Sequence, residues 1–172
     1  MEHHAENTPN RGPIRLRVRR QDGPGEPSYW QDFEVPYVKG HNVLSVLMEI
    51  RKNPVDVAGN PVEPIVWESS CLEEVCGSCS MLINGRPRQA CTALIDRIMS
   101  ETGTNVVTLA PFSKFPLVRD LIVDRSRMFE NLIKAKAWIE TDGPYNKGPG
   151  PKVTPENQEM MYTLSTCMTC GC

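Results

Sequence analysis

Four cysteines near the middle of the chain constrain its fold more than any other feature of the sequence. Three of them, Cys71, Cys76 and Cys79, lie within one nine-residue stretch, and Cys91 follows a short distance later. The spacing is C-x4-C-x2-C-x11-C. Three thiolates on one loop and a fourth beyond a hairpin can enclose a compact inorganic core. The sequence therefore predicts a loop and a hairpin that together build a metal site.

The spacing also indicates which metal centre the loop would hold. A plant-type [2Fe–2S] cluster is ligated by a C-x4-C-x2-C run and one later cysteine. Gly77, Ser78 and Ser80 are small, so the backbone could pass close to the sulfides and point N–H groups at them. A structural zinc site is the alternative, but zinc ligands usually come as two C-x2-4-C pairs. The predicted [2Fe–2S] ligands are Cys71, Cys76, Cys79 and Cys91.

Composition narrows the class of protein. Seven cysteines in two groups, without an apolar segment like that of a signal peptide, favour metal binding over disulfides. A net charge of −2 gives no reason to expect a nucleic-acid partner. No apolar run is long enough to span a bilayer, so we expect a protein that is soluble or attached to a membrane only through partners.

The N-terminal part of the chain is predicted to begin with a hairpin after a polar, disordered tail over residues 1–13. The apolar residues of Ile14–Val18 alternate with arginines, which predicts a half-buried strand. We interpret the basic face of this strand, from Arg15 to Arg20, as a solvated edge. A Gly- and Pro-rich turn and a second strand over Tyr29–Pro36 complete the hairpin.

A helix and two further strands are predicted after this hairpin. Asn42 is placed to cap a helix that Pro54 stops. Asn84-Gly85 is a strong signal for the turn of a hairpin after the cysteine loop. A last strand is predicted over Val106–Leu109. Two strands, a helix and a cysteine loop on a further hairpin is the order of elements in a β-grasp ferredoxin.

The sequence becomes helical in character after these strands. Pro116 precedes a helix that is predicted to run from about Leu117 to Ala137. A loop rich in Gly and Pro over residues 142–155 leads to a second predicted helix, which Thr154 caps and which ends near Ser165. The predicted apolar stripe of the first helix consists of Val118, Leu121, Ile122, Phe129, Leu132 and Ile133.

The second helix leads into Cys167-Met-Thr-Cys170-Gly-Cys172. The bacterial-ferredoxin run C-x2-C-x2-C-x3-C-P opens in the same way, but its third ligand would fall at position 173, and Cys172 is out of register. The predicted fold class is α+β. Its parts are the tail (1–13), a β-grasp [2Fe–2S] ferredoxin-like domain (14–110) and an incomplete helical ferredoxin domain (111–172).

This arrangement resembles the iron–sulfur subunit of succinate dehydrogenase or fumarate reductase. The resemblance covers residues 14–172 approximately. Its most specific part is Phe115-Pro-Leu-Val-Arg-Asp-Leu-Ile-Val-Asp124, because no cluster chemistry demands that stretch. The other matching stretches are Ser70–Cys79, Ile83–Gly85, Ala90–Thr92 and Cys167–Cys172.

The resemblance implies a set of clusters. The four cysteines of the first group would hold the [2Fe–2S] cluster nearest a flavin. Cys167 and Cys170 would be the first two ligands of a [4Fe–4S] cluster, and Cys172 falls on a non-ligand position. The remaining ligands and a [3Fe–4S] cluster are expected in the full-length chain. A polypeptide that ends at Cys172 is therefore expected to bind the [2Fe–2S] cluster alone.

The resemblance also implies partners and a role. An FAD-containing flavoprotein subunit and membrane-anchor subunits with a quinone are the expected partners. Electrons would pass between succinate or fumarate at the flavin and the quinone, as part of an oxidoreductase. We expect a peripheral position at the cytoplasmic face of the cell membrane. No catalytic residue is assigned on this chain, because the carbon chemistry would belong to the flavin subunit.

Two other functions share the first cysteine spacing. The iron–sulfur subunit of a molybdenum hydroxylase would need a C-x2-C and a C-x-C pair about thirty residues apart, whereas Cys167, Cys170 and Cys172 form one tight group. A stand-alone [2Fe–2S] electron carrier would be more acidic and would need no second domain. Co-purification with a flavoprotein separates the leading interpretation from both alternatives.

Overall fold

The structure is a computed structural model that describes residues 12–138, 153–167 and 170. Within these residues, the main sheet is built from β1 (Ile14–Arg20), β2 (Tyr29–Val35), β3 (Ser80–Ile83), β4 (Arg86–Gln89) and β5 (Val106–Ala110). These five strands form one mixed sheet in the order β2-β1-β5-β3-β4, with β5 at its centre. Strand β1 runs parallel to β5 and antiparallel to β2. The predicted order of elements is confirmed, and with it the ferredoxin-like α+β class.

One face of the sheet is buried under helix α1 (Val43–Lys52). The inward residues of β1 follow the predicted alternation, and Ile14, Leu16 and Val18 are completely buried. Burying a branched aliphatic side chain contributes about 1.5–3 kcal/mol, so this layer accounts for much of the stability. Asn42 caps α1 as predicted, since its side chain accepts a hydrogen bond from the Ser45 N–H at 2.8 Å.

The β3–β4 hairpin turns at Asn84 and Gly85, as the sequence predicts. Both residues have positive φ, 49° and 75°, which fits a two-residue turn of the type that connects twisted strands. The Asn84 side chain also accepts a hydrogen bond from the Thr108 N–H at 2.8 Å. The turn is thereby fixed to β5, and this fixes the register of the hairpin that carries two of the candidate ligands.

A second helix in this part of the chain, α2 (Ile95–Thr102), has no counterpart among the predicted elements. Ile95 and Ile98 lie on its buried side. Gly103 ends the helix in the left-handed conformation, with φ of 70°. These residues give a sequence signal for α2, namely apolar spacing followed by a glycine stop.

The predicted helix over Leu117–Ala137 is wrong in its first half. Strands β6 (Leu117–Arg119) and β7 (Ile122–Val123) form a small antiparallel hairpin, and only then does α3 (Ser126–Lys134) begin. The chain reverses at Asp120, which has a φ of 47° and cannot continue a right-handed helix. The predicted stripe is divided accordingly: Leu121 joins the main core, but Phe129 is 53% exposed.

Arg20 is not part of a solvated edge, which corrects the interpretation of the basic strand face. Its side chain is 1% exposed and pairs with the fully buried Asp120, with Nε 2.8 Å from Oδ1. The guanidinium also donates to the Gln31 side chain and to the carbonyl oxygens of Glu63 and Pro64. Arg15, by contrast, is exposed as predicted and pairs with the half-buried Asp32 carboxylate.

The last described helix is α4 (Pro155–Ser165), close to its predicted bounds. Thr154 caps it by accepting a hydrogen bond from the Asn157 N–H at 3.3 Å. Most of the predicted loop over 142–155 and of the tail over 1–13 lies outside the described residues. The division into domains at residue 110 stays a prediction. Among the described helices, none has the length and apolar character that crossing a membrane requires.

Candidate metal centre

The β3–β4 hairpin brings two of the four predicted ligands together. Cys79 directly precedes β3, Cys91 follows β4, and the Ala90 N–H donates to the Cys79 carbonyl at 3.2 Å. Both side chains are buried, with 3% and 5% exposure. Asn42 reaches the same place from the start of α1, since its amide donates to the Cys91 carbonyl at 2.7 Å. The helix cap thus also holds a candidate ligand.

The other two predicted ligands lie on the loop before β3, and backbone N–H groups surround their sulfur atoms. The Cys71 sulfur accepts hydrogen bonds from the N–H groups of Glu73, Val75 and Cys76 at 3.5, 3.4 and 3.3 Å. In return, the Cys71 N–H donates to the Cys76 sulfur at 3.5 Å. Successive N–H groups that converge in this way form a concave site for negative charge.

Left-handed residues make this loop possible. Leu72, Glu74 and Gly77 have φ of 64°, 61° and 71°. A positive φ is uncommon for a residue with a side chain and costs free energy, so two such residues in three positions mark a loop under constraint. Alternating the hand of the backbone turns consecutive N–H groups towards one side. The loop conformation is therefore the direct cause of the donors around the Cys71 sulfur.

The two thiols Cys76 and Cys79 differ in their acidity. Hydrogen bonds from the Cys71 N–H, and then from the hydroxyl and N–H of Ser78, lower the pKa of the Cys76 thiol to about 6. Burial raises the pKa of the Cys79 thiol to about 11, and the adjacent Cys91 contributes to the shift. The thiolate is the form that binds metal. The loop thus favours a negatively charged sulfur at Cys76 at neutral pH.

The predicted ligands form two pairs, Cys71 with Cys76 and Cys79 with Cys91. Across the described residues, no three Cys, His, Asp or Glu side chains come close enough to form a metal site. Cys167 is exposed and Cys170 half-buried beyond the end of α4, and Cys172 lies outside the described residues. The six assigned ligands therefore stay predictions.

The chemistry of the loop fits an iron–sulfur cluster. Hydrogen bonds to sulfur and exclusion of solvent are the two ways in which a protein stabilises and tunes such a cluster. The Cys71 and Cys76 sulfur atoms have the hydrogen bonds, and the Cys79 and Cys91 side chains have the burial. Four cysteines without histidine also match the ligands that a [2Fe–2S] cluster requires.

One residue that contacts the loop was missed by the sequence analysis. Arg125 lies just before α3, and its guanidinium donates to the carbonyl oxygens of Gly77 and Ser78 at 2.7 and 2.8 Å. It also pairs with the Glu68 carboxylate at 3.1 Å. No local pattern predicts this contact, because Arg125 is more than forty residues from the loop in sequence.

Comparison with known proteins defines the class. The family model for a 2Fe–2S iron–sulfur cluster binding domain matches residues 15–130. This match covers more than half of the chain, including all four cysteines of the first group. The chain belongs to this family of 2Fe–2S iron–sulfur cluster binding domains.

The individual proteins that this chain is similar to indicate a narrower class than the family model does. The chain is 52% identical to the succinate dehydrogenase iron–sulfur subunit of Bacillus subtilis, over 92% of this chain and 60% of that protein. It is 27% identical to the fumarate reductase iron–sulfur subunit of Wolinella succinogenes, over 92% of this chain and 64% of that protein. These relatives confirm the resemblance that the motifs indicated.

A solved structure is also similar to this chain. A chain of the Mycobacterium smegmatis Sdh1 complex in the apo form is similar with a TM-score of 0.60 and 30% identity, over 92% of this chain and 61% of that chain. The present chain thus spans about three fifths of the length of these relatives.

Proposed function

We propose that this chain is the electron-transfer subunit of a succinate:quinone oxidoreductase. It would pass electrons between a flavoprotein subunit, where succinate or fumarate reacts, and a quinone in the membrane. The observation that carries this proposal is the 52% identity to a succinate dehydrogenase iron–sulfur subunit over 92% of the chain. A second cysteine group, Cys167 and Cys170, follows α4 and supports the proposal, because a stand-alone carrier would need no second group.

The proposed ligands of the [2Fe–2S] cluster are Cys71, Cys76, Cys79 and Cys91. When bound, the cluster supplies the capacity to accept and release one electron. N–H groups of this chain donate to the Cys71 and Cys76 sulfur atoms and would stabilise the negative charge of the cluster. Because the reduced cluster carries one more negative charge, these hydrogen bonds favour the reduced state. Burial of Cys79 and Cys91 keeps water from that side of the site.

The proposed role of the second group is to begin a further relay. Cys167 and Cys170 would be the first two ligands of a [4Fe–4S] cluster, and a [3Fe–4S] cluster would follow in the full-length chain. α4 ends directly before Cys167, so the helix would set the position of this group relative to the rest of the chain. Several clusters in sequence are what transfer from a flavin to a membrane quinone requires.

The proposed partners are an FAD-containing flavoprotein subunit and membrane-anchor subunits that bind quinone. The proposed location is peripheral, at the cytoplasmic face of the cell membrane. Leu72 and Val75 support a protein partner at the cysteine loop, because both are apolar and are 53% and 59% exposed. A partner that covers them would bring its own redox group close to the first cluster and would remove apolar surface from water.

A charge on this loop should therefore prevent association with the flavoprotein. We expect Val75→Lys to abolish or strongly reduce co-purification with the flavoprotein subunit of succinate dehydrogenase, because a lysine would be buried without a partner. Val57→Lys is the matched control, since Val57 is 47% exposed and lies beside β2, where its N–H donates to the Asp32 carbonyl at 3.0 Å. Equal recovery of the flavoprotein with both variants would contradict docking at the loop. No flavoprotein with the unsubstituted protein would contradict the proposed function itself.

A further inference from the structure

Arg125 connects the start of α3 to the loop between Cys76 and Cys79. Its side chain is 10% exposed, so most of the guanidinium is shielded from water. It donates to two consecutive carbonyl oxygens, those of Gly77 and Ser78, at 2.7 and 2.8 Å. These are the carbonyl oxygens of the two peptide units that lead into Cys79. The contact therefore holds the backbone of the loop itself.

The orientation of these two peptide units decides where their N–H groups point. A trans peptide unit is planar, with its carbonyl and its N–H on opposite sides. The Gly77 carbonyl shares a unit with the Ser78 N–H, and the Ser78 carbonyl shares one with the Cys79 N–H. Because Arg125 binds both oxygens, both N–H groups are turned away from Arg125. Ser78 itself lies beside a candidate ligand, since its hydroxyl oxygen is 3.4 Å from the Cys76 sulfur.

We infer that Arg125 is a positioning residue that sets the reduction potential of the [2Fe–2S] cluster by fixing the Gly77–Ser78 and Ser78–Cys79 peptide units. The inference rests on the proposed function, since it requires the cluster to be held at this loop. Hydrogen bonds to sulfur and nearby charge both determine the potential of an iron–sulfur cluster. The Gly77 carbonyl also accepts a hydrogen bond from the Ser80 N–H at 3.1 Å, so loss of Arg125 releases the Ser78–Cys79 unit most. Once that unit rotates, the Cys79 N–H changes its direction relative to the cluster, and the reduced state loses stabilisation.

The charge of Arg125 and the geometry of its two hydrogen bonds can affect the reduction potential separately. The Glu68 carboxylate lies 3.1 Å from the Arg125 guanidinium, so the pair brings little net charge to the loop. What only arginine provides is a planar fork that can bind two oxygens at once. Lysine at this position keeps the charge but is a single point donor. A lysine variant therefore distinguishes positioning of the backbone from a general electrostatic effect.

Arg127, two residues further along the chain, offers a matched control. Arg127 is exposed, and its guanidinium lies over the Phe115 ring at 5.4 Å rather than on the cysteine loop. Replacing Arg125 or Arg127 with methionine removes one positive charge in either case and keeps a good helix former. A difference between the two variants therefore reflects the place of Arg125 at the loop, and Arg125→Lys separates its charge from its two hydrogen bonds.

The test is a potentiometric titration of the first cluster in the full-length protein within its complex, followed by its reduced-state paramagnetic signal. We expect Arg125→Met to lower the midpoint potential, so that the ratio of reduced to oxidised cluster at a fixed potential falls about tenfold, or 59 mV for one electron. Arg125→Lys should also lower it and change the line shape of the signal. Arg127→Met should leave both the midpoint and the line shape unchanged.

The midpoint potentials of the three variants decide whether Arg125 sets the potential of the cluster. Equal midpoints for Arg125→Met and Arg127→Met would overturn the inference and leave the proposed function intact. A wild-type midpoint and line shape in Arg125→Lys would also overturn it, because charge alone would then suffice. If Arg125→Met loses the cluster while Arg127→Met keeps it, Arg125→Lys supplies the midpoint potential, and a midpoint below that of the wild type supports the inference. Absence of the cluster from the unsubstituted protein would overturn the proposed function and this inference together.

Discussion

Cys76→Ala should abolish the [2Fe–2S] centre, and with it the red-brown colour and the reduced-state paramagnetic signal. Alanine offers no donor atom, so one iron would lose a thiolate ligand. Hydrogen bonds to the Cys76 sulfur lower the pKa of this thiol to about 6, which favours the thiolate that binds metal. Iron and acid-labile sulfide analysis with electron paramagnetic resonance measures the loss.

Cys172→Ala is the matched control for that experiment, because it also removes one thiol but at a position predicted not to be a ligand. It should keep the centre. The sheet and α1 do not use the Cys76 side chain, so the cluster-free Cys76→Ala protein should unfold at the same denaturant concentration as the cluster-free wild type. Retention of the paramagnetic signal in Cys76→Ala would contradict the ligand assignment.

Asp120→Asn should cost the fold about 3–5 kcal/mol of unfolding free energy, the range for removing one partner of a buried ion pair. Asp120 accepts hydrogen bonds from Arg20, from the Gln21 N–H and from the Val66 N–H, and it is fully buried. Asparagine keeps the shape and tolerates the φ of 47°. The loss would therefore report the uncompensated charge of Arg20. Urea unfolding of the two proteins measures it.

The exposed pair of Arg119 and Asp22 is the control for the buried pair. Its closest N–O distance is 3.8 Å, and the Asp22 side chain is 63% exposed. Exposed ion pairs contribute little to stability, so Asp22→Asn should leave the unfolding midpoint almost unchanged. Similar losses in the two Asp→Asn variants would mean that the Arg20–Asp120 pair is not the connection between the β6–β7 hairpin and the sheet that its burial indicates.

The sequence predicted correctly those strands, helix caps and turns that depend on residues close together in the chain. The alternation over Ile14–Val18, the Asn42 cap and the Asn84-Gly85 turn each depend on residues within a few positions of one another, and each is present as predicted. The same alternation, counted strictly, places Arg20 on the inward face. An arginine there is stable only with a buried partner, and the partner, Asp120, lies 100 residues away.

The segment after Pro116 was predicted wrongly for a related reason. The apolar residues Val118, Leu121 and Ile122 have helical spacing, but Asp120 satisfies the buried Arg20 only if the chain reverses there. A tertiary ion pair thus overrides the local period. A single sequence does not contain this information in any window of the length that a helix or a strand occupies.

In the candidate metal centre, too, some features follow from the local sequence and others depend on the fold. The cysteine spacing predicts which residues would bind iron and which kind of cluster they suit. The N–H groups around the Cys71 sulfur follow from the left-handed Leu72 and Glu74, which nothing in their residue types indicates, since neither is a glycine. The Arg125 contact is again long in range. Spacing therefore predicts the chemistry of the site, whereas its tuning depends on the fold.

Iron and sulfide analysis of the anaerobically purified 172-residue chain, with electron paramagnetic resonance after reduction, tests whether the four cysteines of the loop and hairpin hold a [2Fe–2S] cluster. We expect about two irons and about two acid-labile sulfides per chain, with a signal only in the reduced state. We expect no cubane signal, because Cys167 and Cys170 are only two ligands in register. A colourless chain that folds with bound zinc would contradict the central claim, as would about six irons with a cubane signal.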